Sequence, residues 1–325
     1  MDAGRLAAWS ADLRERLGVP LPALQLVRGE SGPDELELRF GGERIHANVF
    51  YPDRACILRR HWESTRIPLP QEAIRVYDAA GEEDVVWLTL AALRRAGFAL
   101  PARNFDQAVV DWLEAHCRHA FNRLFDLDML TQLLRETAAA TGRRWRLPGF
   151  AADQLRQVFI ELVEEGVPLS PLVRGLNEHL ARIVGMSSDP AAVVRGLRET
   201  VRTEICRSVA DESGLVTTIL LDEELEESLA NRVRHEGRGG LALSHPAALA
   251  LAAAVRRQVE LIIQGGGLYV PVLVTPAPLR SPLARLLRQF DHRIKVLSFT
   301  ELDPQVITPA LGGLVRMAPG TEPMA

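Results

Sequence analysis

Leu215-Val216-Thr217-Thr218-Ile219-Leu220-Leu221 is a run of apolar and β-branched residues bounded by Gly214 and Asp222, the pattern of a buried strand. An acidic helix follows, then Gly237-Arg238-Gly239-Gly240, then an Ala/Leu-rich helix from Pro246 to about Gln264. Beyond Gly265-Gly266-Gly267 the pattern predicts a second strand over Tyr269–Val274, a helix over Pro282–Phe290 and a third strand over Ile294–Phe299. This order is an α/β layer ending in a β-α-β crossover, whose handedness and strand adjacency are nearly fixed by packing.

The glycines of this layer invite a nucleotide-binding reading, and their polarity argues against it. A phosphate loop leaves a strand and opens a helix, so that free N–H groups point at the anion. Gly265-Gly266-Gly267 follows a helix and precedes a strand, where glycine is expected to cap by accepting positive φ. No Lys-Ser/Thr pair follows it, and the Gly237–Gly240 cluster likewise ends a helix.

Working outward, Leu6, Trp9, Leu13 and Leu17 mark an amphipathic first helix closed by Gly18 and Pro20, and Leu24–Val27 predicts a strand. Leu36, Leu38 and Phe40 alternate with polar residues, Gly41-Gly42 turns, and Ile45, Ala47 and Val49 alternate again: a β-hairpin. Cys56-Ile57-Leu58 and Ile74-Arg75-Val76-Tyr77 predict short strands, and Asp84–Ala96 a helix ended by Gly97. A helix is expected from Phe105 to about Phe125, and the stretch from Asp128 to Val209 reads as all-helical. Within it, Gly142–Gly149 is a loop carrying Arg143, Arg144 and Trp145. Ser170-Pro171 and Asp189-Pro190 are helix starts.

The chain has 325 residues, 47% apolar and 25% charged, and a net charge of −4. That length predicts two or more domains, and that charge carries no basic footprint for nucleic acid. Arginine replaces lysine everywhere except Lys295, but it is spread evenly, as genomic drift would leave it. No apolar run reaches the roughly 18 residues of a membrane span, and the first twenty residues lack an apolar signal core. Cys56, Cys117 and Cys206 are widely spaced, which suits a reducing compartment, and a cytoplasmic location is expected.

Candidate chemistry is sparse. His116 and His119 could share a helix face as metal ligands, but no second ligand pair accompanies them. Glu223, Glu224, Glu226 and Glu227 stand at a helix start, where the dipole favours them. Neither cofactor, metal nor catalytic set is expected, and the absence points to a binding or assembly role.

Several segments resemble the cytoplasmic domain of the FHIPEP family, the export-gate component of flagellar and injectisome type III secretion. Leu17-Gly18-Val19-Pro20-Leu21-Pro22 and the hairpin Glu35–Phe50 are similar to its N-terminal segments, and Arg95-Ala96-Gly97-Phe98 to its Ala-Gly-aromatic step. Val158–Leu169, Leu176-Asn177-Glu178-His179-Leu180 and Ser188-Asp189-Pro190 resemble its middle helices. The most specific matches are Gly239–Leu243, Pro271–Pro276 with Leu279-Arg280, and Val296–Leu302.

The resemblance implies an α/β plus all-helical chain in four subdomains: residues 1–53 with 104–126, an inserted 54–103, a helical 127–209 and an α/β 210–318, with 319–325 as a tail. It implies a platform, not an enzyme, that assembles as a nonameric ring. Its partners would be export chaperone–substrate complexes, the gatekeeper, and the secretion ATPase and stalk proteins. The family's membrane domain is missing, which reads as an excised piece or a free-standing relative; with that domain, the protein would sit at the cytoplasmic face of the bacterial inner membrane.

Two departures stand out: Leu169-Ser170-Pro171-Leu172 replaces the family's Ile-Arg-Asp-Leu, and Asp111-Trp112 stands where it has Thr-His. Partner-binding candidates are Tyr77, Trp87, Phe98, Asp111 and Trp112, of which two or three are expected to be buried. The alternatives are a regulator of the same fold that forms no ring, and an enzyme with its pocket at Asp222, Thr275-Pro276 and Thr300-Glu301.

Overall fold

The structure is a computed structural model that describes residues 3–21, 25–28, 35–78, 83–98, 102–141, 151–167, 169–174, 183, 189–236, 241, 243–265, 267, 269–291 and 293–317. The fold is mixed α/β and divides into two compact units, Met1–Pro190 and Ala191–Ala325. The glycine cluster 237–240, Gly266, the loop 142–149, the segment 176–180 and Ser188 lie outside the described residues.

The first unit opens with α1 (Ala3–Leu17), which buries Trp9, Leu13 and Leu17. Three antiparallel strands follow, β1 (Gln25–Arg28), β2 (Glu35–Phe40) and β3 (Glu43–Val49), in the order β1-β2-β3. Gly41 and Gly42 take φ of 59° and 85° between β2 and β3. That pair of left-handed residues is what a two-residue hairpin turn demands.

A second antiparallel sheet comes from β4 (Arg54–Leu58), β5 (Ile74–Asp78) and β6 (Glu83–Thr89), in the order β4-β6-β5. The helices α2 (Arg59–Ser64) and α3 (Leu90–Ala96) pack on one of its faces. Here the structure corrects the expected helix over 84–96. Residues 84–89 pair with β4 on one side and β5 on the other, with Val85, Val86, Trp87 and Leu88 all buried. A continuous apolar run of that length suits a central strand as well as a helix, and pairing on both edges decides it. The helix begins only at Leu90, where the Thr89 side chain accepts from the Ala92 N–H, and ends at Gly97 with φ of 60°.

The chain leaves this sheet beside its point of entry. Cys56 and Arg103 exchange both backbone hydrogen bonds, 2.8 and 2.9 Å. The helices α4 (Phe105–His119), α5 (Phe121–Leu124), α6 (Leu127–Thr141), α7 (Ala152–Glu164) and α8 (Leu169–Arg174) follow in this unit. Asn104 and Gln107 form a capping box at the start of α4. The helix expected over 105–125 breaks at Ala120. Ser170 is no N-cap: Leu169 is already helical, and the serine Oγ donates to the Glu15 carbonyl of α1.

The second unit takes in α9 (Pro190–Thr200), apart from its first residue, and α10 (Arg202–Val209), one expected helix broken at Val201. Its sheet holds β7 (Leu215–Leu221), β8 (Val272–Thr275), β9 (Val296–Ser298) and β10 (Thr308–Val315), all parallel, in the order β10-β7-β8-β9. The helices α11 (Glu223–Glu236), α12 (His245–Gln264) and α13 (Ala277–Arg288) cover one face. Leu229, Leu251, Val255, Leu279 and Leu283 meet Ile219, Leu273 and Val296 there, and each buried leucine contributes roughly 2 kcal/mol.

Three expectations in this unit need correction. The helix after β8 starts at Ala277 and holds Pro282 inside it, not at its first turn as expected. Gly265 caps α12 with φ of −71°, so positive φ is not its reason for being glycine. A side chain at Gly267 would stand 2.9 Å from the Ile262 carbonyl, so close approach is the requirement there. Finally, β10 has no counterpart among the expected strands, and it carries Pro309 and Gly312-Gly313, residue types that usually interrupt one.

Candidate functional site

The second sheet and α4 are joined by a column of aromatic rings. Trp87 of β6 meets Phe50 edge to face at 6.1 Å, and Phe50 meets Trp112 of α4 at 5.4 Å and Phe105 at 6.2 Å. Phe105 in turn contacts Trp9 of α1 at 5.9 Å. Trp87 and Trp112 are each only 2% exposed, so both are core members. The Trp112 indole N–H is satisfied by His46 Nδ1 of β3 at 3.3 Å, as a buried indole requires.

Asp111 sits one residue away in an ion network. Its carboxylate accepts from Arg16 of α1 at 2.7 Å and from Arg103 at 3.3 Å. Arg16 also bonds Asp12 and Glu114, and Glu114 bonds Arg118. Burial works against the charge of Arg16, but Asp111, Asp12 and Glu114 outweigh it and raise its pKa above the ordinary value. Arg103 Nη2 also reaches Cys56 Sγ at 3.6 Å. Asp111 therefore fastens α1 and the exit of the second sheet to α4.

The five candidates do not form one cluster. Strand register puts Tyr77 on the face of the second sheet shared by Val86 and Ile57, the side covered by α2 and α3. Phe98 lies on that side too, half-buried and stacked on Trp62 at 5.5 Å. Trp87 projects from the opposite face, and it, Asp111 and Trp112 belong to the α4 side. Tyr77 is the exposed member, at 61%. Sequence reasoning missed the apolar strip beside Trp87: Ile74 pairs with Trp87, and Leu58 and Val76 flank Val85, all three half-buried. Its signal was the alternation in Ile74-Arg75-Val76, which becomes legible only once β6 is recognised as their neighbour. A cleft of about 400 Å³ also opens between α1 and the start of α4, floored by Ala8, Trp9 and Val110, with Asp106 bonded to Trp9 Nε1 and paired with Arg5.

Groups with chemical potential are committed elsewhere. Burial, then Glu114, pushes the Cys117 thiol up to about 12, which leaves it unreactive. At the carboxyl ends of the parallel strands, Glu301 accepts from Arg198 at 2.5 Å and from the Ser298 N–H at 2.7 Å, and Asp222 pairs with Arg316 at 3.1 Å. Among the described residues no cluster of His, Cys, Asp and Glu is placed to hold a metal, and no helix is long and apolar enough to cross a membrane.

A sequence model described as the FHIPEP family matches residues 3–307. The low calcium response locus protein D of Yersinia pestis is 24% identical over 184 residues, 50% of this chain and 26% of that protein. The chain thus spans about a quarter of that relative's length. The Shigella flexneri MxiA protein superposes with a TM-score of 0.78 at 18% identity, over 96% of this chain and 95% of MxiA. The nonameric EscV cytosolic domain from the type III secretion system superposes at 0.64 and 15% identity, over 96% and 91%. At those identities the likeness establishes the fold.

Proposed function

The chain belongs to the FHIPEP family, and we propose that it is the cytoplasmic docking platform of a type III secretion export gate. In this role it receives export chaperone–substrate complexes and exchanges contacts with the gatekeeper and the secretion ATPase and stalk proteins. It works as a ring at the cytoplasmic face of the inner membrane and carries no catalytic step. The observation that carries the reading is the half-buried strip Leu58, Ile74 and Val76, backed by the locked Trp87–Phe50–Trp112 column. A rigid apolar strip beside charged residues is what a helical chaperone face can anchor on.

The test is calorimetric titration of a cognate chaperone–cargo complex into wild type, Ile74→Asp and Val76→Asp. We expect at least a tenfold loss of affinity in the variants with the fold retained by circular dichroism. Unchanged affinity in both would remove the strip from the docking surface.

A second reading, a regulator that forms no ring, is favoured by one contact. Ser170, at the position where the resemblance puts an arginine of the ring-forming region, turns inward to the Glu15 carbonyl. Mass measurement over a concentration range tests them: a closed ring supports the platform and removes the regulator.

A further inference from the structure

We propose that the stacked imidazoles of His46 and His116 form an acid-sensitive latch, which holds the β2–β3 hairpin on α4 while both rings are neutral and lets it go when they are protonated. His46 lies on β3 and His116 on α4, with ring centroids 4.0 Å apart and planes 23° from parallel. Trp112, one helical turn before His116, packs against both rings.

Two features of the geometry require neutrality. An indole N–H can only donate, so the His46 Nδ1 that meets Trp112 must be an unprotonated acceptor. A proton there would set donor against donor and break the bond. His116 is buried, and its Nε2 has no hydrogen-bond partner. A charge on that ring would be desolvated and would face His46 at stacking distance. Burial first, then the charges of His46 and His119, hold the His116 pKa down to about 3.

Among the described residues, no carboxylate acts on His116 to offset this. Asp111 and Glu114 of α4 and Asp12 of α1 are bonded to Arg16, Arg103 and Arg118. Glu37 of β2 is bonded to Arg39, and Glu43 of β3 to Arg123 of α5. Arg156 of α7 goes to the Asn122 and Phe125 carbonyls. When the hairpin lifts, His116 reaches water and recovers its ordinary affinity for protons. Acid therefore favours the lifted state, by about tenfold per pH unit below 6.5. The latch stands on this cluster alone and does not depend on the docking reading.

The experiment is hydrogen exchange of the whole chain at pH 7.5, 6.5 and 5.5, with rates corrected for the intrinsic pH dependence of exchange. We expect protection of the amides of 43–49 and 112–119 to fall about fivefold between pH 6.5 and 5.5, while the parallel sheet of the second unit keeps its protection. In His116→Gln the fall should vanish; should that variant not fold, His46→Gln takes its place and should blunt it. Protection that is constant with pH, a fall shared by the whole chain, or a fall that survives His116→Gln overturns the latch.

Discussion

Gly18 and Ser170 meet backbone to backbone. A β-carbon at position 18 would stand 2.9 Å from the Ser170 Cα and 2.7 Å from the Leu169 carbonyl carbon. Gly18 also takes φ of 72°, and Ser170 Oγ donates to the Glu15 carbonyl beside it. The end of α1 and the start of α8 are thus pressed together at a point where only glycine fits.

Gly18→Ala is therefore expected to cost about 3 kcal/mol or more, strain and overpacking together. Gly97→Ala is the control. It has a similar φ of 60° but nothing within 4 Å of the new β-carbon, so about 1 kcal/mol is expected from the dihedral alone. Urea unfolding of the two variants measures the difference.

Trp112 was a docking candidate, and its burial makes it a stability residue. Trp112→Ala should lose about 3–5 kcal/mol. Trp112→Phe should keep the contact with Phe50 and lose about 1 kcal/mol, for the hydrogen bond to His46. Tyr77→Ala, by contrast, should stay within about 0.5 kcal/mol of wild type, as exposed positions do. Thermal unfolding ranks the three.

The Arg198–Glu301 pair has both side chains only 2% exposed. Removing one partner leaves a buried charge, so Arg198→Met alone should cost about 3–5 kcal/mol. Adding Glu301→Gln removes the stranded charge and keeps an acceptor for the Ser298 N–H. The double variant should recover 1 kcal/mol or more, roughly the coupling usual for contacting residues. A double-mutant cycle in urea reads that coupling directly.

His116 also contributes to the global acid sensitivity. Its folded pKa of about 3 lies below the unfolded value of 6.5, so the unfolded chain binds the extra proton between those limits. Its contribution to stability is complete above pH 6.5 and falls by about 1.4 kcal/mol per pH unit as pH drops toward 3. Equilibrium unfolding at pH 7, 6 and 5 should show this slope in wild type and a shallower one in His116→Leu.

The legibility of the fold followed how local each cause was. The β2–β3 hairpin was readable as a hairpin because alternation and the Gly41-Gly42 turn fall within fifteen residues, but its faces were not, since Glu35 and Glu37 are buried along with Leu36 and Leu38. The β7 strand was readable because a short apolar run between breakers has few other uses. The β6 strand was not, since Val85-Val86-Trp87-Leu88 is apolar at every position and only its neighbours on both edges show it to be a strand. Among the site residues, aromatic and acidic types were found by composition, but their roles depend on distant partners. Asp111 looked like a contact residue because Arg16, which occupies it, is 95 positions away in sequence. The strip of Leu58, Ile74 and Val76 stayed hidden for the same reason as β6.

The order β10-β7-β8-β9 has a consequence for synthesis. Thr218 of β7 and Ala310 of β10 touch across 92 positions of chain. On the ribosome β7 and β8 can pair while β10 is still untranslated, and the outer edge of β7 then stays open. At about 5–20 residues per second, that edge is bare for several seconds in every round of translation. Chaperone demand during synthesis should therefore concentrate on Leu215–Leu221, a segment that is an interior strand once the protein is finished.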